Sequence, residues 1–433
     1  MTTQVEGLGD KSERLCASQT RQGRILRRFP ALGLLLSGLL TLCGAVHILG
    51  TNNHGASLTL IAVAIVLGIA AMKVARSESI FERGASRGLW HHWVILGLLL
   101  MLHGFLAHRM ISTVPVKIDC YTIHQDAAAS LLQGRDPYGT THANIYNETE
   151  TRLFFGPGMV VNGRVQVGFP YPPVTFLSAL PGYLLGDVRY GYVAAILLSA
   201  IFVFALMPNA RGLSLAAFIL LSPVTYFVEH QCWTEALVWA LLCATLYTAV
   251  KHPRWLPLAL GLFLASKQYN FLALPFLGYL LQPFTRKAYW KLFGASLAVA
   301  MATVLPFAIW NFHALWHDLV LFHLAQPVRQ DALSFAIPFP LFMKLGPLLL
   351  LAFIVWGARR GSLQPAIFAV AYGMALLLFF STSKQAFLNY YFLIAQAFLL
   401  AATALWPARH AHALLSGSEN TESRLQSEHA NST

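Results

Sequence analysis

Apolar runs of about 17–22 residues recur along this chain, joined by short polar segments. At 1.5 Å per residue in a helix, such a run matches the thickness of a bilayer's hydrocarbon core. Hydrocarbon offers no partners to backbone N–H and C=O groups, so only helices and closed barrels cross it. The runs do not alternate apolar with polar residues, which argues against the strands of an outer-membrane barrel. Only 11% of the 433 residues are charged while 56% are hydrophobic, whereas soluble domains carry about a quarter charged residues. A soluble fold could not hide this much apolar surface. The chain therefore reads as an all-α polytopic membrane protein.

Length and charge place about twelve transmembrane helices. They lie near 31–49, 57–74, 90–111, 190–207, 213–228 and 234–250, then 255–281 as two pieces broken near 266–268, then 290–310, 341–356, 364–380 and 388–406. Lys and Arg favour cytoplasmic joins, and they fix the orientation. A cytoplasmic N-terminus puts Lys73, Arg76, Arg83, Arg87, Arg211, Lys251, Arg254, Arg286, Lys287, Arg359 and Arg360 all inside. This requires the 15-residue stretch 172–186 to lie in the interface rather than cross. Trp90, Trp255, Trp290, Trp310, Trp356 and Trp406 fall at span ends, as an aromatic belt does.

The domain organisation follows. Residues 1–29 form a cytoplasmic tail and 30–111 the first three spans. Residues 112–187 form an extracytoplasmic loop with short interfacial helices. Residues 188–406 hold the remaining spans and an outer loop at 311–340, and 407–433 form a disordered cytoplasmic tail. The N-terminal polar stretch is too long for a cleaved signal peptide, and Arg21, Arg24, Arg27 and Arg28 read as an orientation anchor. The setting is a cell inner (plasma) membrane.

The net charge of +12 does not mark a nucleic-acid binder, because the basic residues sit in short joins between apolar runs. Five cysteines have no metal-ligand spacing, so no metal and no cofactor are expected. Cys16, Cys43 and Cys243 read as tail or lipid-facing residues. Cys120 and Cys232 fall on one side of the membrane, where a disulfide between them is open. Asn147-Glu148-Thr149 is a glycosylation sequon.

The residues that break the charge pattern lie outside. Lys267 and Lys384 stand at the outer face within apolar sequence, and ionisable groups at membrane depth are functional candidates. Glu229-His230-Gln231, Ser266-Lys267-Gln268 and Ser381-Thr382-Ser383-Lys384-Gln385 form short turns on that face. A short amphipathic helix is expected from Tyr121 to Gln133, with Asp119 just before it and Gly134 stopping it. Arg135-Asp136-Pro137-Tyr138-Gly139 reads as a turn. Phe169-Pro170-Tyr171-Pro172-Pro173 opens the interfacial helix, with prolines where a first turn accepts them.

An Asp soon after an early span, then a helix ending Leu131-Leu132-Gln133-Gly134-Arg135-Asp136-Pro137-Tyr138, then Tyr171-Pro172-Pro173, resembles the GT-C glycosyltransferases. Among these it is most similar to glycosyltransferase family 87, the mannosyltransferase-like proteins that use polyprenyl-phosphate sugars. His230-Gln231, Ser266-Lys267-Gln268-Tyr269 before Leu274-Pro275, and Asn389-Tyr390-Tyr391 add to the likeness. It covers about 112–406. Two departures stand out: two extra spans precede the Asp, and His230 stands where the family has Gly.

The resemblance implies a GT-C-like bundle and sugar transfer from a polyprenyl-phosphate donor to a lipid or glycan acceptor, with inversion. The acceptor hydroxyl must lose a proton as it attacks. An ionised Asp, with an ordinary pKa of about 3.9, suffices as base. The resemblance places Asp119 there, with Asp126 as the rival carboxylate. As a helix cap alone, Asp119 would contribute about 1 kcal/mol. The leaving phosphate calls for cations, and the candidates are Lys267, Lys384, Arg329 and His323. Glu229, His230, Gln231, Tyr138 and Tyr171 are candidates for sugar or acceptor. Two other functions share the apolar thread: a lipid-linked sugar flippase or transporter, and a non-catalytic assembly subunit. Transporters often carry inverted repeats, which this chain lacks.

Overall fold

Helices make up nearly all the regular structure in the computed structural model of this chain, which describes residues 28–49, 89–358 and 365–404 together with Ala62, Val66 and Ile69. The rest of the expected second span, the basic residues Arg21, Arg24, Arg27, Lys73, Arg76, Arg83, Arg87, Arg359 and Arg360, Cys16, Trp406 and the tail 407–433 lie outside the described residues.

Helices α1 (Arg28–Leu49) and α2 (Leu89–Thr113) lead to α3 (Asp119–Leu132). A short loop domain follows, with strands β1 (His142–Ala143), β2 (Val160–Val161) and β3 (Arg164–Val165) and helix α4 (Glu148–Phe154). Then come α5 (Pro173–Leu184), α6 (Arg189–Leu206), α7 (Ala210–Leu221), α8 (Pro223–His230), α9 (Glu235–Lys251) and α10 (Leu256–Leu264). A 3-10 segment (Gln268–Leu280), α11 (Arg286–Trp316), α12 (Phe322–Ala325), α13 (Leu341–Ala358), α14 (Pro365–Ser381) and α15 (Leu388–Ala404) complete the order.

Among the described residues three helices are long and apolar enough to cross a membrane: Trp90–Thr113, Arg189–Leu206 and Arg286–Ala325. A fourth crossing is made if the pair α7–α8, bent by 47°, counts as one. The span expected at 213–228 is thus broken at Ser222, because Pro223 cannot continue the helix hydrogen bonding. The break expected near 266–268 is present, since α10 ends at Leu264 and the 3-10 segment begins at Gln268. The helix expected to end near Trp310 runs on to Trp316, with a kink at Asn311 where φ is −157° and ψ is 84°. The start of the expected outer loop at 311–340 is therefore helical.

α9 lies at the centre, packed on α6, α10 and α15, while α15 packs on α1 and α14. Trp239, Tyr192, Tyr372, Phe204, Phe263 and Phe398 are fully buried there. Cys243 belongs to this core, so it is not lipid-facing. On α2, by contrast, Trp90, Trp93, Val94, Leu98, Met101 and Phe105 stand exposed, as do Trp290, Ile309 and Trp310 on α11. Contiguous exposed apolar faces of this kind are stable only against lipid or another apolar surface.

The loop domain has its own core. Ile123, Tyr138, Val165, Phe169, Phe176, Phe307 and Phe322 meet in it, joining α3, the small sheet, α5 and the end of α11. The sheet order is β1-β3-β2, antiparallel throughout. Asn162 (φ 51°) and Gly163 (φ 72°) form the β2–β3 turn; two consecutive positive φ values suit Asn-Gly. Asp318 fastens the two halves: its carboxylate accepts from the backbone N–H of Gly168 (2.8 Å) and Phe169 (2.7 Å). The Asn147 side chain of the sequon is spent on a capping box with Glu150 at the start of α4.

Candidate active site

Ile118, with an extended backbone (φ −150°, ψ 141°), caps the α3 helix, which begins at Asp119. Asp119 is therefore the first helical residue, where the sequence placed it just before a helix beginning at Tyr121. Its carboxylate accepts from the N–H of Cys120 at 2.7 Å, near the positive end of the helix dipole. The Asp119 N–H in turn donates to the Tyr146 hydroxyl at 3.1 Å, and that hydroxyl hydrogen-bonds the carboxylate. Burial pushes the Asp119 carboxyl above its ordinary value; the Cys120 N–H, Tyr146 and the Arg329 charge oppose the rise without cancelling it.

Asp119 opens onto a cavity of about 920 Å³. Lys267, Arg329, Lys384, His323 and Tyr171 line the same cavity. They come from segments far apart in sequence, and each is held differently. Lys267 Nζ donates to Thr234 Oγ1 and to Glu235 Oε1 (3.0 Å), and lies 4.1 Å from the centroid of the Tyr171 ring. Arg329 makes two 2.7 Å bonds to Asp331 and rests over the Phe154 ring. The Asp331 carboxyl is held below its ordinary value, first by these bonds. Lys384 donates to the carbonyls of Leu324 (2.9 Å) and Gln326 (2.6 Å), and burial lowers its pKa. His323 Nε2 donates to the Pro170 carbonyl at 2.6 Å, beside Gln268, which donates to the same oxygen at 2.7 Å.

No protein-family model matches the sequence, and no curated protein matches it. A crystal structure of ArnT from Cupriavidus metallidurans bound to undecaprenyl phosphate is similar over 72% of this chain and 59% of that one, at 18% identity and a TM-score of 0.47. The chain thus spans less than two thirds of that protein.

Other sequence candidates stand away from the cavity. Glu229 is fully buried and bonds His103 Nε2 at 2.9 Å, while His103 Nδ1 donates to the Leu220 carbonyl. The pair ties α8 to α2. His230 meets the backbone of Val114 and Pro115, and Gln231 meets His230 at 3.3 Å. Tyr138 is buried in the loop core, and its hydroxyl donates to the Tyr171 carbonyl at 2.9 Å. It positions Tyr171 without reaching the cavity. Cys120 and Cys232 are neighbours but free: the Cys120 thiol donates to the Cys232 carbonyl at 3.4 Å. Burial pushes the Cys120 thiol up to about 12, far from reactive thiolate. The open disulfide is thus not formed.

Asp126 accepts from His142 Nδ1 at 2.8 Å, and its side chain is 46% exposed. It faces the small sheet rather than the cavity. Asp126→Asn should cost about 1 kcal/mol, since the amide oxygen can still accept from the buried His142 Nδ1 and only the charge assistance is lost. Thermal unfolding measures this.

Sequence reasoning missed three groups that line the cavity, Tyr146, Gln268 and Asp331, and one behind it, Glu235. Glu235 is buried behind the wall and accepts from Lys267, from the Tyr269 hydroxyl (3.0 Å) and from Asn389 Nδ2 (2.6 Å). Among the described residues no group of three His, Cys, Asp or Glu could hold a metal ion.

Proposed function

We propose that this chain is an integral membrane glycosyltransferase. It moves a hexose, mannose by the sequence resemblance, from a polyprenyl-phosphate donor to a lipid or glycan acceptor. Asp119 is the base, and the product is inverted. The supporting observation is the meeting of one carboxylate with Lys267, Arg329 and Lys384 around a single cavity. A displacement that deprotonates an attacking hydroxyl and expels a phosphate needs a base at one end of its line and cations at the other.

In this reading the acceptor hydroxyl lies against Asp119, which takes its proton as the oxygen attacks the anomeric carbon. The phosphate leaves towards Lys267 and Lys384, which donate to its oxygens; Arg329 offers its guanidinium and also biases Asp119 towards ionisation. Tyr171 provides an aromatic face beside Lys267. The twelve-span thread, both termini in the cytoplasm, the cavity on the extracytoplasmic face and an inner-membrane location belong to the same proposal. The exposed apolar faces of α2 and α11 support the membrane setting.

The test is a panel of radiolabelled polyprenyl-phosphate sugars given to the purified protein in nanodiscs with lipid and glycan acceptors. Transfer from at least one donor is expected. Donor translocation across vesicles with no transfer from any donor would replace this reading with the flippase.

The pH dependence has a definite sign. The base acts only when ionised, so kcat/KM should fall on the acid side. Because the Asp119 carboxyl is raised from 3.8, the midpoint should lie above that value. Tyr146→Phe and Arg329→Met each remove a group that lowers it, so each should move the midpoint further up. A midpoint that stays put in both variants would remove Asp119 from the acid limb.

A further inference from the structure

Four basic side chains line the cavity, and three already have a carboxylate of their own. Lys117 pairs with Glu150 at 3.1 Å, Lys267 with Glu235 at 3.0 Å and Arg329 with Asp331 at 2.7 Å. Lys384 meets backbone carbonyls and has no carboxylate partner among the described residues. Asp119 remains as the carboxylate without a cation of its own. At the Lys267–Lys384 end, a ligand therefore meets about one positive charge that is not already balanced.

The three pairs differ in how firmly they fix that balance. Lys117 and Glu150 are 60% and 35% exposed, and Asp331 is 48% exposed, so water and salt screen them. Glu235 and Lys267 are 0% and 5% exposed. Charges there act through protein rather than water and are felt more strongly. Glu235 does not touch the cavity. It lies directly behind Lys267, held by Tyr269 and Asn389.

We propose that Glu235 is a specificity-determining residue that limits the cavity to a ligand carrying one phosphate charge. A polyprenyl phosphodiester sugar fits; a polyprenyl diphosphate sugar brings a second negative charge that Glu235 repels. This rests on the donor reading above and specifies which donors that site admits.

The test compares binding of a polyprenyl-phosphate hexose with the matching polyprenyl-diphosphate hexose, by competition in nanodiscs. Glu235→Gln keeps the shape and removes the charge. Its amide oxygen can still accept from Lys267 and Tyr269. Its amide N–H can donate to Asn389 Oδ1, a buried atom with no partner, once the Asn389 amide turns over. Wild type should favour the phosphodiester. In E235Q the ratio should move towards the diphosphate by about tenfold, the size expected for removing a poorly screened charge several ångströms away. Glu235→Asp keeps the charge and should stay near wild type. Asp331→Asn, at a solvated site, should move the ratio by no more than about twofold.

If E235Q does not fold, the double variant K267M/E235Q removes both charges of the pair and should return the ratio to wild type. Equal binding of the two ligands by wild type would overturn the proposal and leave the transferase reading standing. An unchanged ratio in E235Q, or a shift in E235D as large as in E235Q, would also overturn it. Binding of neither ligand by wild type would remove the donor reading itself, and this proposal with it.

Discussion

Asp119→Asn should lower kcat for sugar transfer by about 10²–10⁴-fold, the range for loss of a general base, with donor affinity changed only a few-fold. The substitution is nearly isosteric. An Asn oxygen still accepts from the Cys120 N–H, and the Tyr146 hydroxyl still has a partner. Helix α3 therefore keeps its first turn, and folding is retained. What disappears is the capacity to take a proton, which matters only once the acceptor oxygen attacks. An interaction made only in the transition state lowers kcat and kcat/KM together. Single-turnover transfer by wild type and D119N, beside donor binding to each, separates the two effects. A variant that binds donor poorly yet turns over normally at saturation would make Asp119 a binding group. Equal turnover in both would leave the base unassigned, because Asp126 lies outside the cavity.

The architecture was legible where one physical constraint dominated. Hydrocarbon thickness sets the apolar run length, so the stretches at α2, α6 and α11 stood out. Polar residues between apolar runs marked the break before Gln268. The bend at Ser222 had a visible cause in Pro223, yet the surrounding run was apolar enough to read as one span. The Asn162-Gly163 turn also had its signal, but strands two residues long leave no periodicity to find.

The site was legible in part. Asp119, Lys267, Lys384, Arg329 and His323 do share a cavity. Glu229 shows the limit. Glu229 lies in the last turn of the eight-residue helix α8, and a polar residue at a helix end reads as a water-facing cap. It turns instead to His103, a partner on α2. Glu235 failed for a related reason. A lone carboxylate opening an apolar run looks like a first-turn residue favoured by the helix dipole. Its three partners, Lys267, Tyr269 and Asn389, lie in segments that only the fold assembles.

Lys267→Met should reduce both transfer and stability, and the two losses have different causes. Removing the ammonium takes a preorganised cation away from the leaving phosphate, an effect of about 10²–10³ in kcat when one such donor is lost. It also leaves Glu235 buried and unpaired, at 0% exposure. Breaking a buried ion pair from one side costs about 3–5 kcal/mol, enough to lower the unfolding midpoint by several degrees. The double variant K267M/E235Q removes the stranded charge, while the amide continues to serve Tyr269 and Asn389. Most of the lost stability should therefore return, since a buried pair replaced by neutral groups is often no worse than the pair itself. Transfer should not return, because nothing in the double variant faces the phosphate in place of the ammonium. Thermal unfolding and transfer measured on the same preparations decide the matter. Recovery of both would make Lys267 a clamp that only holds Glu235, and the cation acting on the phosphate would have to be Lys384 or Arg329.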